Sequence, residues 1–126
     1  MQAPTYGTVS WFQIGTDDPE TVKRFYGDLF GWSFAADPDN GGKYDLITYP
    51  GAQAPSGGIA HTDGDAPNHA IFLVLVEDVA AVAAQTEEIG GKVLMPPTTT
   101  PDGLVFGHLL DPSGNHFGVF TPPSGG

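Results

Sequence analysis

The second half of this chain repeats the first at a constant offset of sixty positions. Phe12 falls on Phe72, Ile14 on Val74, Asp18 on Asp78 and Gly31 on Gly91. Phe34 falls on Leu94, Tyr49 on Leu109, Gly58 on Gly118 and Ile59 on Val119. One offset that holds across apolar, capping and turn positions, with no slip between elements, restricts the chain to two copies of one supersecondary unit.

The unit reads as strand-helix-strand-strand-strand. Val9 to Ile14 is β-branched and aromatic, as strands are. Asp17-Asp18-Pro19-Glu20 supplies a helix start: a capping carboxylate, proline in the first turn and an acid at the positive helix end. Val22, Phe25, Tyr26, Leu29 and Phe30 follow at helical spacing, and Gly31 ends the helix. Strands are expected at 32–34, 43–49 and 56–61, with a turn-rich loop at 37–42. After the repeat, strands are expected at 69–76, 92–95, 104–110 and 115–120. A helix capped by Asp78 runs to Ile89 and closes at Gly90-Gly91. Pro96 to Asp102, with three prolines, reads as a loop, and the tail 121–126 as frayed. The expected organisation is one domain over 1–126: module one at about 7–61, a polar linker at 62–68 and module two at about 69–120.

The chain carries 4 Lys and Arg against 15 Asp and Glu, a formal net charge of −11. Phosphate binding needs a basic surface, so nucleic acid is not an expected partner. There are no cysteines, which excludes thiolate chemistry and disulfides. No apolar run approaches the roughly 20 residues that span a bilayer, and no secretory signal stands at the N-terminus. The expectation is a cytoplasmic protein whose acidity serves solubility and weakly favours cationic ligands. No Ser-His-Asp or Cys-His order and no glycine-rich nucleotide fingerprint stands out.

Three segments of the first half carry a family resemblance: Trp11-Phe12-Gln13-Ile14, Asp17-Asp18-Pro19-Glu20 and Phe25-Tyr26-Gly27-Asp28-Leu29-Phe30-Gly31-Trp32. In the second half Val76-Glu77-Asp78-Val79, Ile89-Gly90-Gly91-Lys92-Val93 and Asp111-Pro112-Ser113-Gly114-Asn115 carry it. With these segments in this order, the chain resembles the vicinal oxygen chelate superfamily of glyoxalases, bleomycin-resistance proteins and extradiol dioxygenases. The resemblance implies an α+β fold of two βαβββ modules, a cupped mixed sheet with the helices outside. In metal-using members the first and last strands of each module supply His, Glu or Gln ligands. The matching positions here are Trp11 and Gly58 in module one and Ile71 and Gly118 in module two. None offers a metal-binding side chain, and a register slip of one, to Phe12, Ile59, Phe72 and Val119, does no better. No metal and no other cofactor is therefore expected.

Strand alternation assigns the remaining faces. Val9, Trp11 and Gln13 share one face of the first strand, and His69, Ile71 and Leu73 that of its repeat. Ser56, Gly58 and Ala60 join them, as do His116, Gly118 and Phe120. Phe12, Ile14, Ile59, Phe72, Val74 and Val119 point the other way, under the helices. The expected ligand-facing set is Trp11, Gln13, Gly58, His69, Ile71, His116, Gly118 and Phe120, with the two glycines leaving space at the floor of the cup. Trp11 reads either as a stacking platform or as core filling, and Gln13 as a ligand-orienting amide or a hydrated rim residue. His69, His108 and His116 read more simply as scattered strand histidines than as a new site. Trp32 reads as core, and Asp111-Pro112-Ser113-Gly114 as a type I turn.

The function expected from these readings is sequestration of a small aromatic or cationic molecule, such as an antibiotic, by a homodimer that needs no metal. Two alternatives remain. One is an enzyme, either a metal-free lyase or isomerase using His69 or His116 as base or a relocated metal site. The other is a regulatory or interaction module.

Overall fold

A computed structural model describes residues 6–37, 43–62 and 67–123 of the chain. Parts of the expected loop at 37–42, linker at 62–68 and tail at 121–126 lie outside the described residues, as do residues 1–5. The element order is β1 (Val9–Thr16), α1 (Pro19–Phe30), β2 (Ser33–Ala36), β3 (Tyr44–Thr48), β4 (Gly57–His61), β5 (His69–Leu75), α2 (Val79–Glu88), β6 (Lys92–Thr99), β7 (Val105–Leu110) and β8 (His116–Thr121). This is the expected α+β pattern of two βαβββ modules. No helix among the described residues is long and apolar enough to cross a membrane.

The chain forms two compact units, Trp11–Ala70 and Ile71–Gly126 together with Met1–Ser10. The N-terminal residues join the second unit because Gly7 N–H donates to the Leu75 carbonyl and Leu75 N–H to that of Thr8.

In the first unit the strands lie in the order β2-β3-β4-β1, with β1 parallel to β4 and the other pairs antiparallel. Parallel neighbours cannot be joined by a tight turn, so α1 follows β1 directly on the way across. Asp18 caps α1 by accepting from Thr21 N–H, and Gly31 ends it in the left-handed conformation at φ 76°, its N–H on the Gly27 carbonyl. Ile14, Ile47 and Ile59 form the core, with Phe12, Val22, Tyr26, Trp32 and Phe34 packed on it. Trp32 is core as expected, stacked on Tyr26 and tilted against Phe12, Phe30 and Tyr49.

The second unit repeats this plan in the order β5-β8-β7-β6, with β5 parallel to β8. Asp78 caps α2 through Ala81 N–H. The core is Val76, Val79, Ala83, Leu109 and Val119. The sixty-residue offset holds in the parallel ladders: Gln13 pairs with Gly58 as Leu73 does with Gly118, and Ile14 with Ile59 as Val74 does with Val119. Phe12 packs under its helix, and Phe72 stacks on Phe117, which flanks the second core.

The offset does slip elsewhere. Ile47 lies opposite Gly57 and Leu109 opposite Phe117, so the counterpart of Leu109 is Ile47 and not Tyr49. The segment from Ile47 to its partner Gly57 is two residues longer than that from Leu109 to Phe117. Phe34 and Val93, each across from these core residues, are likewise counterparts, and Leu94 is exposed. α2 ends at Glu88, capped at Ile89, so Gly91 is not the match of Gly31.

The expected loop from Pro96 is instead strand as far as Thr99. β6 is the outer strand of its unit, and its register shifts twice against β7, between Val93 and Met95 and again before Thr98. Prolines lack a ladder donor and are tolerated at such edges and bulges. The turn at Asp111 forms as read: Gly114 N–H reaches the Asp111 carbonyl. The Asn115 side chain, helped by the Asn115, Ser113 and Gly114 amides, holds the Asp111 carboxyl below its usual range.

Ile47 and Leu109 are fully buried, whereas Tyr49 is 39% exposed. Ile47→Ala and Leu109→Ala are each expected to cost about 2–5 kcal/mol in urea unfolding. Tyr49→Ala should cost distinctly less, and equal losses at 47 and 49 would contradict this register.

Candidate functional site

On the first unit, the face of β1 opposite α1 carries two linked polar pairs. Gln13 is buried, and its side-chain amide lies 3.1 Å from His69 Nε2. His69 Nδ1 lies 3.1 Å from the Pro67 carbonyl, which can only accept, so Nδ1 bears the proton and Nε2 accepts from Gln13. This is a neutral imidazole with an assigned tautomer. Its ring lies across Gly15, where any Cβ would collide with it.

The second pair is Trp11 and Tyr44. Trp11 Nε1–H donates to Tyr44 Oη at 3.0 Å. Tyr44 stands on β3 opposite Ala60, and its neighbour Leu46 opposite Gly58. Its ring fills the space that a side chain at Gly58 would enter. Burial pushes its phenol up to about 12, against a smaller downward pull from the Trp11 N–H. Tyr44 is therefore a protonated hydrogen-bond donor throughout the neutral range.

On the second unit, Gly118 is likewise covered, by the Leu73 side chain. The open floor expected at the two glycines is thus absent: a neighbouring strand has turned a side chain into each gap. Ile71 is buried, and His116 and Phe120 are half-buried. Phe120 lies opposite Phe106 on the face of Gly118. His108, 7% exposed, places Nδ1 2.8 Å from His116 Nε2. One of those nitrogens donates and the other accepts, so that contact holds one proton.

Of the three histidines, the structure brings His108 and His116 together, while His69 belongs to the other unit, bonded to Gln13. An open groove of about 610 Å³ lies beside Glu77, Asp78 and Pro97 at the start of α2, and none of the expected ligand-facing residues lines it.

Two features escaped the sequence reading. Tyr44 was one: only β1, β4 and their repeats were assigned faces, yet alternation about buried Asp45 and Ile47 puts Tyr44 on the face of Gly58. The other is a charged clasp on the helix side. His61 Nε2 lies 2.7 Å from Asp45 Oδ2, and Lys23 bridges Asp45 at 3.6 Å and Glu20 at 2.9 Å. The Lys23 ammonium is raised, first by its hydrogen bond to Glu20. The clasp ties α1 to β3 and β4.

Comparison with known proteins gives the family of the chain. Residues 8–119 match the Glyoxalase/Bleomycin resistance protein/Dioxygenase superfamily. The chain belongs to this family. It is 31% identical over 122 residues to "Putative glyoxylase CFP32" of Mycobacterium tuberculosis, covering 90% of this chain and 45% of the relative. It is 30% identical over 134 residues to the anthracycline biosynthesis protein DnrV of Streptomyces peucetius, covering 90% and 46%. The chain thus spans about half the length of these curated relatives. Among solved structures, methylmalonyl-CoA epimerase from Mycobacterium tuberculosis superposes with a TM-score of 0.61 at 15% identity, over 97% of this chain and 93% of the other. That likeness is one of fold.

The family's divalent metal does not fit the residues present. Trp11 and Ile71 offer no donor, and the gaps at Gly58 and Gly118 are filled by Tyr44 and Leu73. Among the described residues, no group of three His, Asp or Glu side chains is placed to hold a metal.

Because Tyr44 occupies the gap at Gly58, Gly58→Ala is expected to cost about 1–3 kcal/mol, as overpacking does. In a Tyr44→Ala background the same change should cost almost nothing, a non-additivity that a double-mutant cycle reads directly. Equal costs in both backgrounds would rule out this contact.

Proposed function

We propose that this chain binds a small aromatic or amphipathic molecule and does so without the family's metal. One observation carries the reading: the ligand positions of both modules hold an indole, a branched aliphatic and two covered glycines in place of metal donors. What remains on the first unit is an aromatic surface, Trp11 and Tyr44, beside a neutral Gln13–His69 pair. Apolar surface with a few convergent polar groups is the makeup of a small-molecule site. Sequestration needs affinity alone, so loss of metal donors does not impair it. A relative named for anthracycline biosynthesis accords with such a ligand. Gly58, Ile71, Gly118 and Phe120 line or back the ligand-facing surfaces, and His116 supplies a polar contact. Net acidity favours a cationic ligand at long range and disfavours nucleic acid. We further propose that the protein acts in the cytoplasm, as a homodimer.

A second reading rests on the His108–His116 contact. Two imidazoles sharing one proton can pass it to and from a bound molecule, which suits a metal-free lyase or isomerase.

Calorimetric screening of metabolites and antibiotics against the folded protein tests the first reading. For a ligand so found, Trp11→Ala should weaken binding by about 1–3 kcal/mol, as loss of an aromatic anchor does. Unchanged affinity in a variant of confirmed fold would move the site elsewhere. Light scattering at micromolar concentration should give the mass of a dimer, and a monomer would remove the homodimer.

A further inference from the structure

Tyr44 stands on the first unit's ligand-facing surface with half of its hydrogen-bonding capacity in use. Its oxygen accepts the Trp11 indole N–H, and among the described residues its own proton meets no acceptor. A phenol can do both at once. The ring is held in place twice, by the indole N–H at its tip and by the Gly58 backbone beneath it. The residue is half-buried, so a ligand that covers it must supply an acceptor for the O–H or leave that donor unpaired at a cost. We infer that Tyr44 is a specificity-determining residue, donating its O–H to a neutral carbonyl-type oxygen on a flat ligand that lies against Trp11.

The inference deepens the small-molecule reading above and rests on it. The acceptor is neutral for two reasons. The chain carries a net charge of −11, which opposes an anionic ligand. The groups beside it are an indole, an amide and an imidazole, and the charge that acts on its phenol, the Asp37 carboxylate, is itself negative and opposes an anion. Gly58 is part of the device, because any larger residue there would displace the ring. The position at which the family places a metal donor thus serves here as the seat of a phenol.

The test uses two probes that differ only in the acceptor, 9-fluorenone and fluorene. The chain has no cysteine to react with the ketone. Equilibrium dialysis against the wild-type protein should show fluorenone bound about three- to tenfold more tightly, the range of one neutral hydrogen bond. Tyr44→Phe should abolish that preference while leaving fluorene binding unchanged. The infrared carbonyl band of bound fluorenone should move to lower frequency in the wild type and not in the variant. Persistence of the preference and of the band shift in Tyr44→Phe would overturn the inference. So would equal binding of both probes by the wild type, an outcome that leaves the small-molecule reading standing. If neither probe binds, the flat-ligand reading falls, and this inference with it.

Discussion

The parallel pairing of the first and last strand in each module is the constraint on which everything else rests. β1 must lie beside β4, and β5 beside β8, although a helix and two strands separate them in sequence. That closure places Ile14 against Ile59 and Val74 against Val119, beneath the helices. It also lays Gln13 beside Gly58 and Leu73 beside Gly118 on the opposite faces. The last strand is glycine-bearing in both modules, and the missing Cβ atoms are used. Phe12 lies over Gly57, Tyr44 over Gly58 and Leu73 over Gly118. These glycines act as seats for neighbouring side chains and not as holes.

That use of glycine changes the meaning of the lost metal donors. Loss of a ligand leaves a cavity only if nothing else enters it, and protein interiors close such gaps. In the first unit the entering group is a phenol tied to an indole, so the surface becomes aromatic and neutral. In the second it is Leu73, beside the His108–His116 pair. The same position is thus filled in two ways, by a phenol in one module and by an aliphatic side chain in the other.

The charged clasp of Glu20, Lys23, Asp45 and His61 belongs to the first module alone. Its counterparts in the second module are Ala80, Ala83, Gly107 and Thr121, which offer no charged side chain. α1 buries no residue fully, while α2 buries Val79 and Ala83. The polar tie compensates for thin apolar contact, although a buried ion pair contributes less to stability than its short distances suggest.

The sequence by itself determined the duplicated βαβββ plan, both helix starts and the alternation of the flanking strands. These depend on local periodicity and on capping residues such as Asp18 and Asp78, which act through neighbours in the chain. It also determined that Trp11, Gly58, Ile71 and Gly118 lack metal donors, since that is a property of residue type. Only the tertiary structure decided the register of the middle strands. There a longer hairpin connection makes Ile47 the partner in kind of Leu109, and an edge position lets Pro96 and Pro97 stand in a strand. It alone decided that Tyr44 covers Gly58, that Asp45 meets His61, and that His108 meets His116 while His69 bonds Gln13. These contacts join residues on different strands, and a single-residue change of pairing would reverse every face involved.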